Sequence, residues 1–228
     1  MKNNAILQIP SLNWSNKDNL LVYEKTPIFK LKECAAISGL DSCCDLRLIH
    51  QYIQRSSSIL EIGAGAGRVL DYLINSNYQG EISAVECCQN YCQQLLKRFG
   101  QKISVYCQNL LRLSLPKQFD LILWMWSGIA DFAPAEHLLA LKNLLSTLTD
   151  HGILIFDTLD PTVTPAATKY NKGQEYYIDI KYGIIRTYSV TKQELDQYAK
   201  KLHFIEKKQL HYTATNGKER ILHIVKKA

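Results

Sequence analysis

From residue 58 onward, short apolar runs alternate with segments whose apolar residues have helical spacing. The runs predict strands at 58–62, 81–86, 102–107, 119–126 and 151–158. The helical spacing predicts helices at 67–76, 90–99, 134–148 and 191–202. Two further strands, 203–210 and 219–227, are joined around Asn216-Gly217, a turn dipeptide. Such alternation is typical of a parallel sheet in an α/β domain, to which the closing hairpin adds antiparallel pairing.

Two segments fall outside this alternation. Residues 1–57 contain one predicted helix, 43–55, and residues 159–190 contain a predicted hairpin. The chain has 228 residues and no internal repeat, so we expect a single domain. In that domain an N-terminal cap (1–57) and a capping insertion (159–190) accompany a core made of 58–158 and 191–228.

Three glycines, Gly63, Gly65 and Gly67, lie between the first predicted strand and the helix after it. Glycine in an ordered segment is entropically unfavourable, so turn geometry or a ligand must require it here. In an open parallel sheet, ligands bind at the carboxyl ends of the strands, where this loop lies. The dinucleotide pattern GxGxxG would place its third glycine at position 68, which is Arg68. The loop therefore departs from the pattern that binds a pyrophosphate.

Two carboxylates near the loop restrict the ligand further. Glu61 precedes the first glycine, and a carboxylate there disfavours a pyrophosphate but tolerates a cation. Glu86 closes the second predicted strand, where it can accept hydrogen bonds from both hydroxyls of a ribose. Together they predict a nucleoside ligand that carries positive charge and no phosphate.

This set of residues resembles the class I S-adenosylmethionine-dependent methyltransferases. The family's first motif, an acidic residue followed by xGxGxG, matches Glu61 to Gly67, and its second motif matches Glu86. Asn109 stands where the family more often has aspartate near the adenine. The family's fourth strand begins with Phe-Asp, as at 119–120, and its fifth follows a glycine turn, as at 151–152. The resemblance covers about residues 45–158 and 191–226.

The resemblance implies a Rossmann-like three-layer sandwich. Its seven-stranded sheet would be mostly parallel, in the order 3-2-1-4-5-7-6, with one antiparallel strand near the edge. The implied cofactor is S-adenosyl-L-methionine. The resemblance assigns cofactor binding to Glu61, Gly63, Ala64, Gly65, Gly67, Glu86, Cys87, Asn109, Leu110 and Trp126.

Methyl transfer by this family is an in-line displacement, which requires alignment of the two reactants and exclusion of water but no metal. We expect a small-molecule nitrogen, oxygen or carboxylate acceptor, held under the N-terminal segment and residues 159–190. The candidate pocket residues are Trp126, Ser127, Asp131, Tyr170, Tyr176 and Tyr188. The six histidines are scattered, so spacing identifies no general base.

The sequence is also compatible with other functions. The net charge is +6, and residues 200–228 hold eight basic and two acidic residues. That segment is either a nucleic-acid footprint or a sheet edge protected by lysines, and we expect it to lie away from the methyl end of the cofactor. RNA or protein methylation is one alternative to a small-molecule acceptor. A dehydrogenase, an aminopropyl transferase and a non-catalytic cofactor-binding or scaffold module are others.

Composition excludes some classes of protein. No apolar stretch approaches the roughly 20 residues of a membrane span, and the first residues contain no secretory apolar region. The seven cysteines are odd in number and include two adjacent pairs, which favours reduced thiols over a disulfide framework. We therefore expect a cytoplasmic protein with no membrane partner; the sequence does not indicate its oligomeric state.

Overall fold

The fold is known from a computed structural model that describes residues 14–226. Residues 1–13 of the predicted cap, and Lys227 of the basic segment, lie outside the described residues. Seven strands form the main sheet: β1 Ser58–Ile62, β2 Glu81–Glu86, β3 Ser104–Cys107, β4 Phe119–Trp124, β5 Leu148–Leu159, β9 Glu206–Thr213 and β10 Glu219–Lys226. Three strands form a second sheet: β6 Thr168–Lys172, β7 Glu175–Asp179 and β8 Ile184–Tyr188.

The main sheet has the order β3-β2-β1-β4-β5-β10-β9, which confirms the predicted topology. Strand β1 pairs in parallel with both β2 and β4. Strand β10 is antiparallel to both of its neighbours, β5 and β9. Strands β2 and β3 lie on one side of β1, and β4 and β5 lie on its other side. The strand order therefore reverses between β1 and β4, and the carboxyl ends of these two strands border a crevice.

Eight helices accompany the sheets in the described part of the chain. They are α1 Asn16–Tyr23, α2 Ile28–Ile37, α3 Cys44–Leu48, α4 His50–Arg55, α5 Arg68–Asn75, α6 Gln89–Phe99, α7 Pro134–Thr147 and α8 Lys192–Lys201. Two apolar cores lie on opposite faces of the main sheet, one under α3 to α6 and one under α7 and α8. Adjacent residues of a strand alternate between them: Ile59 packs in the first core and Leu60 in the second.

Several predicted boundaries were wrong. The single helix predicted for 43–55 is two helices, α3 and α4, because Ile49 leaves the helical conformation. Strand β4 ends at Trp124 instead of 126, because Trp126 and Ser127 take left-handed backbone angles, with φ of 57° and 54°. The strand predicted for 203–210 begins at Glu206 and continues to Thr213.

The insertion contains more structure than the predicted hairpin. Strands β7 and β8 form that hairpin, and β6 adds a third strand to it. Helix α1, which was not predicted, ties this sheet to the turn Gly128–Asp131 that follows β4. The side chain of Asn19 bonds both backbone groups of Arg186 in β8 and donates to the carbonyl oxygen of Asp131. The insertion and the N-terminal helix therefore close over the carboxyl ends of the strands.

No helix within residues 14–226 is long and apolar enough to cross a lipid bilayer. In the same part of the chain, no group of three or more His, Cys, Asp or Glu side chains is placed to hold a metal ion.

Candidate active site

A cavity of about 700 Å³ lies at the carboxyl ends of β1, β2 and β4. Its floor includes Glu61, Gly63, Gly65 and Glu86, and its cover includes Tyr23 from α1 together with residues of β7 and β8. A volume of this size suits a drug-sized molecule. Of the predicted cofactor-binding residues, the cavity wall contains Glu61, Gly63, Ala64, Gly65, Glu86, Cys87, Asn109, Leu110 and Trp126.

The glycines of the loop after β1 have different roles. Gly63 and Gly65 line the cavity with left-handed φ of 70° and 49°, and a Cβ on Gly63 would have nothing within 4 Å. Gly67 is buried and does not line the cavity. With φ of 79°, it begins α5 and approaches α6, where a Cβ would lie 2.9 Å from Cε2 of Phe99. Gly67 was predicted to bind the cofactor, but the structure places it where α5 packs closely against α6.

Glu86 holds the glycine loop against the end of β2. Its Oε2 accepts a hydrogen bond from the backbone N–H of Gly65 at 2.8 Å, and its Oε1 accepts one from the N–H of Cys88 at 2.8 Å. Burial raises the pKa of this carboxyl, and the backbone N–H groups partly offset that rise. The carboxylate is thus fixed in orientation at the edge of the cavity, with lone pairs remaining for a ligand hydroxyl.

Glu61 is a buried carboxylate with an unsatisfied oxygen. The residue is 4% exposed, and its Oε2 has no hydrogen-bond partner among the described residues. Desolvation raises its pKa well above the usual range, and nearby Arg68 opposes that rise. However, both terminal nitrogens of Arg68 are bonded to Asp45, at 2.8 and 2.7 Å. A cation in the cavity would therefore compensate Glu61.

Asn109 begins the short turn after β3. Its Oδ1 accepts a hydrogen bond from the N–H of Leu111 at 2.8 Å, which leaves the amide N–H groups as possible donors to a ligand. The neighbouring Leu110 is buried in the second core. Cys87 directly follows Glu86 in the sequence. Desolvation raises the pKa of its thiol, which therefore stays protonated.

The opposite end of the cavity is built on the turn after β4. The backbone N–H of Ser127 donates to Oδ1 of Asp157 at 2.7 Å, and its hydroxyl accepts from Nη2 of Arg220 at 2.8 Å. Asp157 and Arg220 form a buried ion pair, 0% and 3% exposed. The pair thereby holds Trp126 and Ser127 in left-handed conformations, which are strained for residues with side chains.

Asp157 and Arg220 were not predicted from the sequence because they lie far apart in the chain. An arginine directly before the apolar residues Ile221 and Leu222 was the available signal. Two residues of the basic segment lie at the cavity, although we expected this segment to lie away from the methyl end of the cofactor. Arg220 and Lys218 both line the cavity, since the start of β10 pairs with the end of β5.

Asp131 closes the turn Gly128–Asp131 and faces the cavity. Its Oδ2 accepts a hydrogen bond from the Tyr23 hydroxyl at 2.8 Å, and its carbonyl oxygen accepts from the side chains of Asn16 and Asn19. The side chain keeps partial exposure to the cavity while protein surrounds it on the other sides. Desolvation raises the pKa of Asp131 to about 7, and the hydrogen bond from Tyr23 opposes the rise.

The predicted aromatic wall is present in part. Tyr176 and Tyr188 line the cavity, and the Tyr188 hydroxyl donates to Oε1 of Glu194 at 2.7 Å. Tyr170 does not line it; its ring stacks on Tyr177 with centroids 4.2 Å apart. His137 is fully buried and bonded to the carbonyl of Phe132, so it is structural.

The residues present fit S-adenosylmethionine. The unsatisfied Oε2 of Glu61 suits the positive charge of such a ligand, and the fixed Glu86 carboxylate suits ribose hydroxyls. Gly63, at the open surface of the loop, permits close approach of a ligand to the backbone.

Residues 59–152 match the family model of the methyltransferase domain. Residues 59–152 form a methyltransferase domain. The family inferred from the glycine loop and Glu86 is thereby confirmed, and the cofactor of this family is S-adenosyl-L-methionine. The chain is 29% identical over 132 residues to malonyl-[acyl-carrier protein] O-methyltransferase of Bacillus anthracis, covering 56% of this chain and 48% of that protein. The chain thus spans about half the length of this curated relative.

Solved structures share the fold of this chain. The 1,6-didemethyltoxoflavin-N1-methyltransferase of Burkholderia thailandensis, solved with S-adenosylhomocysteine, aligns with a TM-score of 0.65 at 15% identity, over 96% of this chain and 93% of that one. The magnesium protoporphyrin IX methyltransferase of Synechocystis PCC 6803, solved with S-adenosylmethionine, aligns with a TM-score of 0.65 at 11% identity, over 95% and 100%.

Proposed function

We propose that the protein transfers a methyl group from S-adenosylmethionine to a small-molecule acceptor. The observation that carries this proposal is the division of one covered cavity into two ends. Glu61, Glu86 and the glycine loop form one end, while Asp131, Tyr176 and Tyr188 belong to the other. Two reactants held in one cavity can be aligned for an in-line displacement.

The cofactor, when bound, supplies an electrophilic methyl group on a positively charged sulfur. Glu86 and Asn109 would hold its adenosine part, and Glu61 would compensate its positive charge. The remaining task of the chain is to position the acceptor and to exclude water. The cover of α1, β7 and β8 supports that task because it places apolar and aromatic side chains over the site.

The cover also favours a small acceptor over a polymer. A nucleic acid needs a continuous basic groove. Here Arg220 at the cavity wall is neutralised by Asp157, and Lys207 on β9 is paired with Asp196. The relative from Bacillus anthracis is named for O-methylation of a malonyl group on an acyl-carrier protein, so its methylated group is small although a protein carries it.

The test is transfer of label from methyl-tritiated S-adenosylmethionine into fractions of a cell extract. We expect label in the small-molecule fraction and no label in the RNA, DNA and protein fractions. A Glu86→Ala variant should lose this transfer. Salt-sensitive labelling of RNA that weakens when Lys207 and Lys208 are both changed to Glu would overturn the assignment. Binding of cofactor with no labelling of any fraction would instead support a non-catalytic module.

A further inference from the structure

A carboxylate and a phenol meet at the acceptor end of the cavity. Oδ2 of Asp131 accepts a hydrogen bond from the hydroxyl of Tyr23 at 2.8 Å. The structure gives Oδ1 of Asp131 no partner within residues 14–226, and both residues line the cavity. The side-chain amides of Asn16 and Asn19 both donate to the carbonyl oxygen of Asp131 and thereby fix the turn that carries this residue. One carboxylate oxygen is therefore directed to a defined position and left free to contact a ligand.

The other ionisable groups on the elements packed around this turn have partners elsewhere. Glu136 on α7 accepts from the backbone N–H groups of Asn16 and Ala133, and His137 bonds the carbonyl of Phe132. Asp157 on β5 is paired with Arg220. On β8, Tyr188 donates to Glu194, while the Arg186 guanidinium lies 5.8 Å from the centre of the Tyr177 ring. Asp131 thus carries the negative charge that a ligand at this end of the cavity meets.

We propose that Asp131 is a catalytic residue that takes a proton from the acceptor, and that this acceptor is an amine nitrogen. The inference rests on the proposed function. The bound ammonium form of the acceptor gives one proton to the Asp131 carboxylate, which becomes a neutral carboxylic acid. The freed nitrogen lone pair then forms the new bond to the methyl carbon as the bond from that carbon to sulfur breaks. The electron pair of the broken bond stays on sulfur, and the methylated nitrogen carries the positive charge.

An amine fits these surroundings better than the two other acceptor types. A carboxylate acceptor next to Asp131 would be repelled by it, and the arginines of the wall are paired with Asp45 and Asp157. The lysines of the wall come from other segments: Lys30 and Lys32 from α2, Lys181 from the turn after β7, and Lys218 from the turn before β10. An aliphatic hydroxyl holds its proton too strongly for a carboxylate to remove, even one whose pKa is raised to about 7. An alkylammonium has an acidity near that of lysine, with a pKa of about 10. Its charge is also attracted both by the carboxylate and by the tyrosine rings of the cover.

The test uses methyl-tritiated S-adenosylmethionine and the fraction of a small-molecule extract that a cation exchanger retains. We expect labelled product that is again retained by the exchanger and that releases no volatile label in alkali, as an N-methyl group should behave. Volatile label after alkali would reveal a methyl ester, and would overturn the assignment of the acceptor. Absence of label from every extract fraction would overturn the proposed function, and this inference with it.

Two variants test the role of Asp131 itself. Asp131→Asn keeps an acceptor for Tyr23 but no base, so we expect kcat/KM at neutral pH to fall 10²- to 10⁴-fold. Its rise near pH 7 should be replaced by a rise toward the pKa of the free amine, about 10. Its affinity for S-adenosylhomocysteine and its unfolding midpoint should remain near those of the wild type. Tyr23→Phe removes a hydrogen bond that favours the carboxylate, so the pKa seen in the kcat/KM profile should move upward. An Asp131→Asn enzyme that retains the wild-type rate and pH profile would contradict the proposal.

Discussion

Arg220 and Asp157 form a buried ion pair between neighbouring strands, with Nε of Arg220 2.8 Å from Oδ2 of Asp157. The strands are β10 and β5, and the pair also bonds the backbone and hydroxyl of Ser127. The two residues therefore link the closing hairpin to the turn on which the acceptor end of the cavity is built. Tyr212 completes the cluster, since its hydroxyl donates to Asp157 at 3.2 Å.

Removing one member of this pair should be strongly destabilising. Arg220→Met leaves the Asp157 charge buried without its cation, so we expect a loss of about 3–5 kcal/mol in the free energy of unfolding. The double variant Asp157→Asn, Arg220→Met removes that charge and should be more stable than Arg220→Met alone. Chemical denaturation measures both. Lys192→Met, which breaks an exposed pair with Asp196, is the control and should leave the midpoint nearly unchanged. Equal losses for the single and double variants would refute the electrostatic explanation.

Two glycines of the loop after β1 should respond differently to alanine. Both have left-handed backbones, which place a strain of roughly 1–2 kcal/mol on alanine. Gly67→Ala also forces a Cβ against Phe99, so we expect a further loss of about 1–3 kcal/mol in stability. In Gly63→Ala the added Cβ meets no protein atom but projects into the cavity. This variant should therefore weaken S-adenosylhomocysteine binding more than Gly67→Ala does. Thermal unfolding and calorimetry on both variants separate the two roles, and the reverse order of effects would count against them.

Asn19 should determine how firmly the cover is attached. It is fully buried and makes three hydrogen bonds, two to Arg186 in β8 and one to Asp131. Asn19→Ala leaves buried backbone groups unsatisfied, at about 1–3 kcal/mol for each. We expect faster hydrogen exchange in α1 and β8 with little change in the core strands β1 and β4. Asn90→Ala, at an exposed position on α6, is the matched control. Unchanged exchange in α1 would show that other contacts hold the cover.

His223 should make the fold sensitive to acid. It is 1% exposed, stacked on Phe156 with centroids 4.7 Å apart, and desolvation lowers its pKa to about 4. As the pH falls from about 6.5 to 4, the unfolded chain takes up the proton before the folded one, so stability is lost. His223→Gln should remove up to about 3 kcal/mol of this pH dependence.

The raised pKa of Asp131 acts in the opposite direction over an overlapping range. Its stabilising contribution is present at low pH and is lost as the pH rises toward about 7. Wild type and His223→Gln share Asp131, so the difference between their unfolding free energies at each pH isolates the histidine. A difference that does not vary between pH 7 and 4 would contradict the assignment.

The central sheet was predictable from sequence because its strands are apolar on both faces. Runs such as FDLILW can be buried only between two layers of helices, so their order followed once the family was inferred. Helix α1 was not predictable in this way. Its buried residues, Asn16 and Asn19, are polar and are satisfied by hydrogen bonds to distant segments, so they give no apolar periodicity.

The cofactor end of the site was easier to infer than the acceptor end. Glu61, Glu86 and the glycines follow two strands closely in sequence, and strand order alone brings them together. The acceptor end depends on Tyr23 meeting Asp131 and on Arg220 meeting Asp157, contacts that span 108 and 63 residues. No local pattern encodes such pairs.

Binding of S-adenosylhomocysteine, measured by titration calorimetry, tests the central claim most directly. We expect one site per chain in the wild-type protein, and a loss of about 1–3 kcal/mol in binding free energy for Glu86→Ala, since a buried hydrogen-bond partner is removed. Circular dichroism on the same samples verifies that both proteins are folded. Folded wild-type protein that shows no binding at about millimolar ligand, an affinity below roughly 4 kcal/mol, would contradict the account.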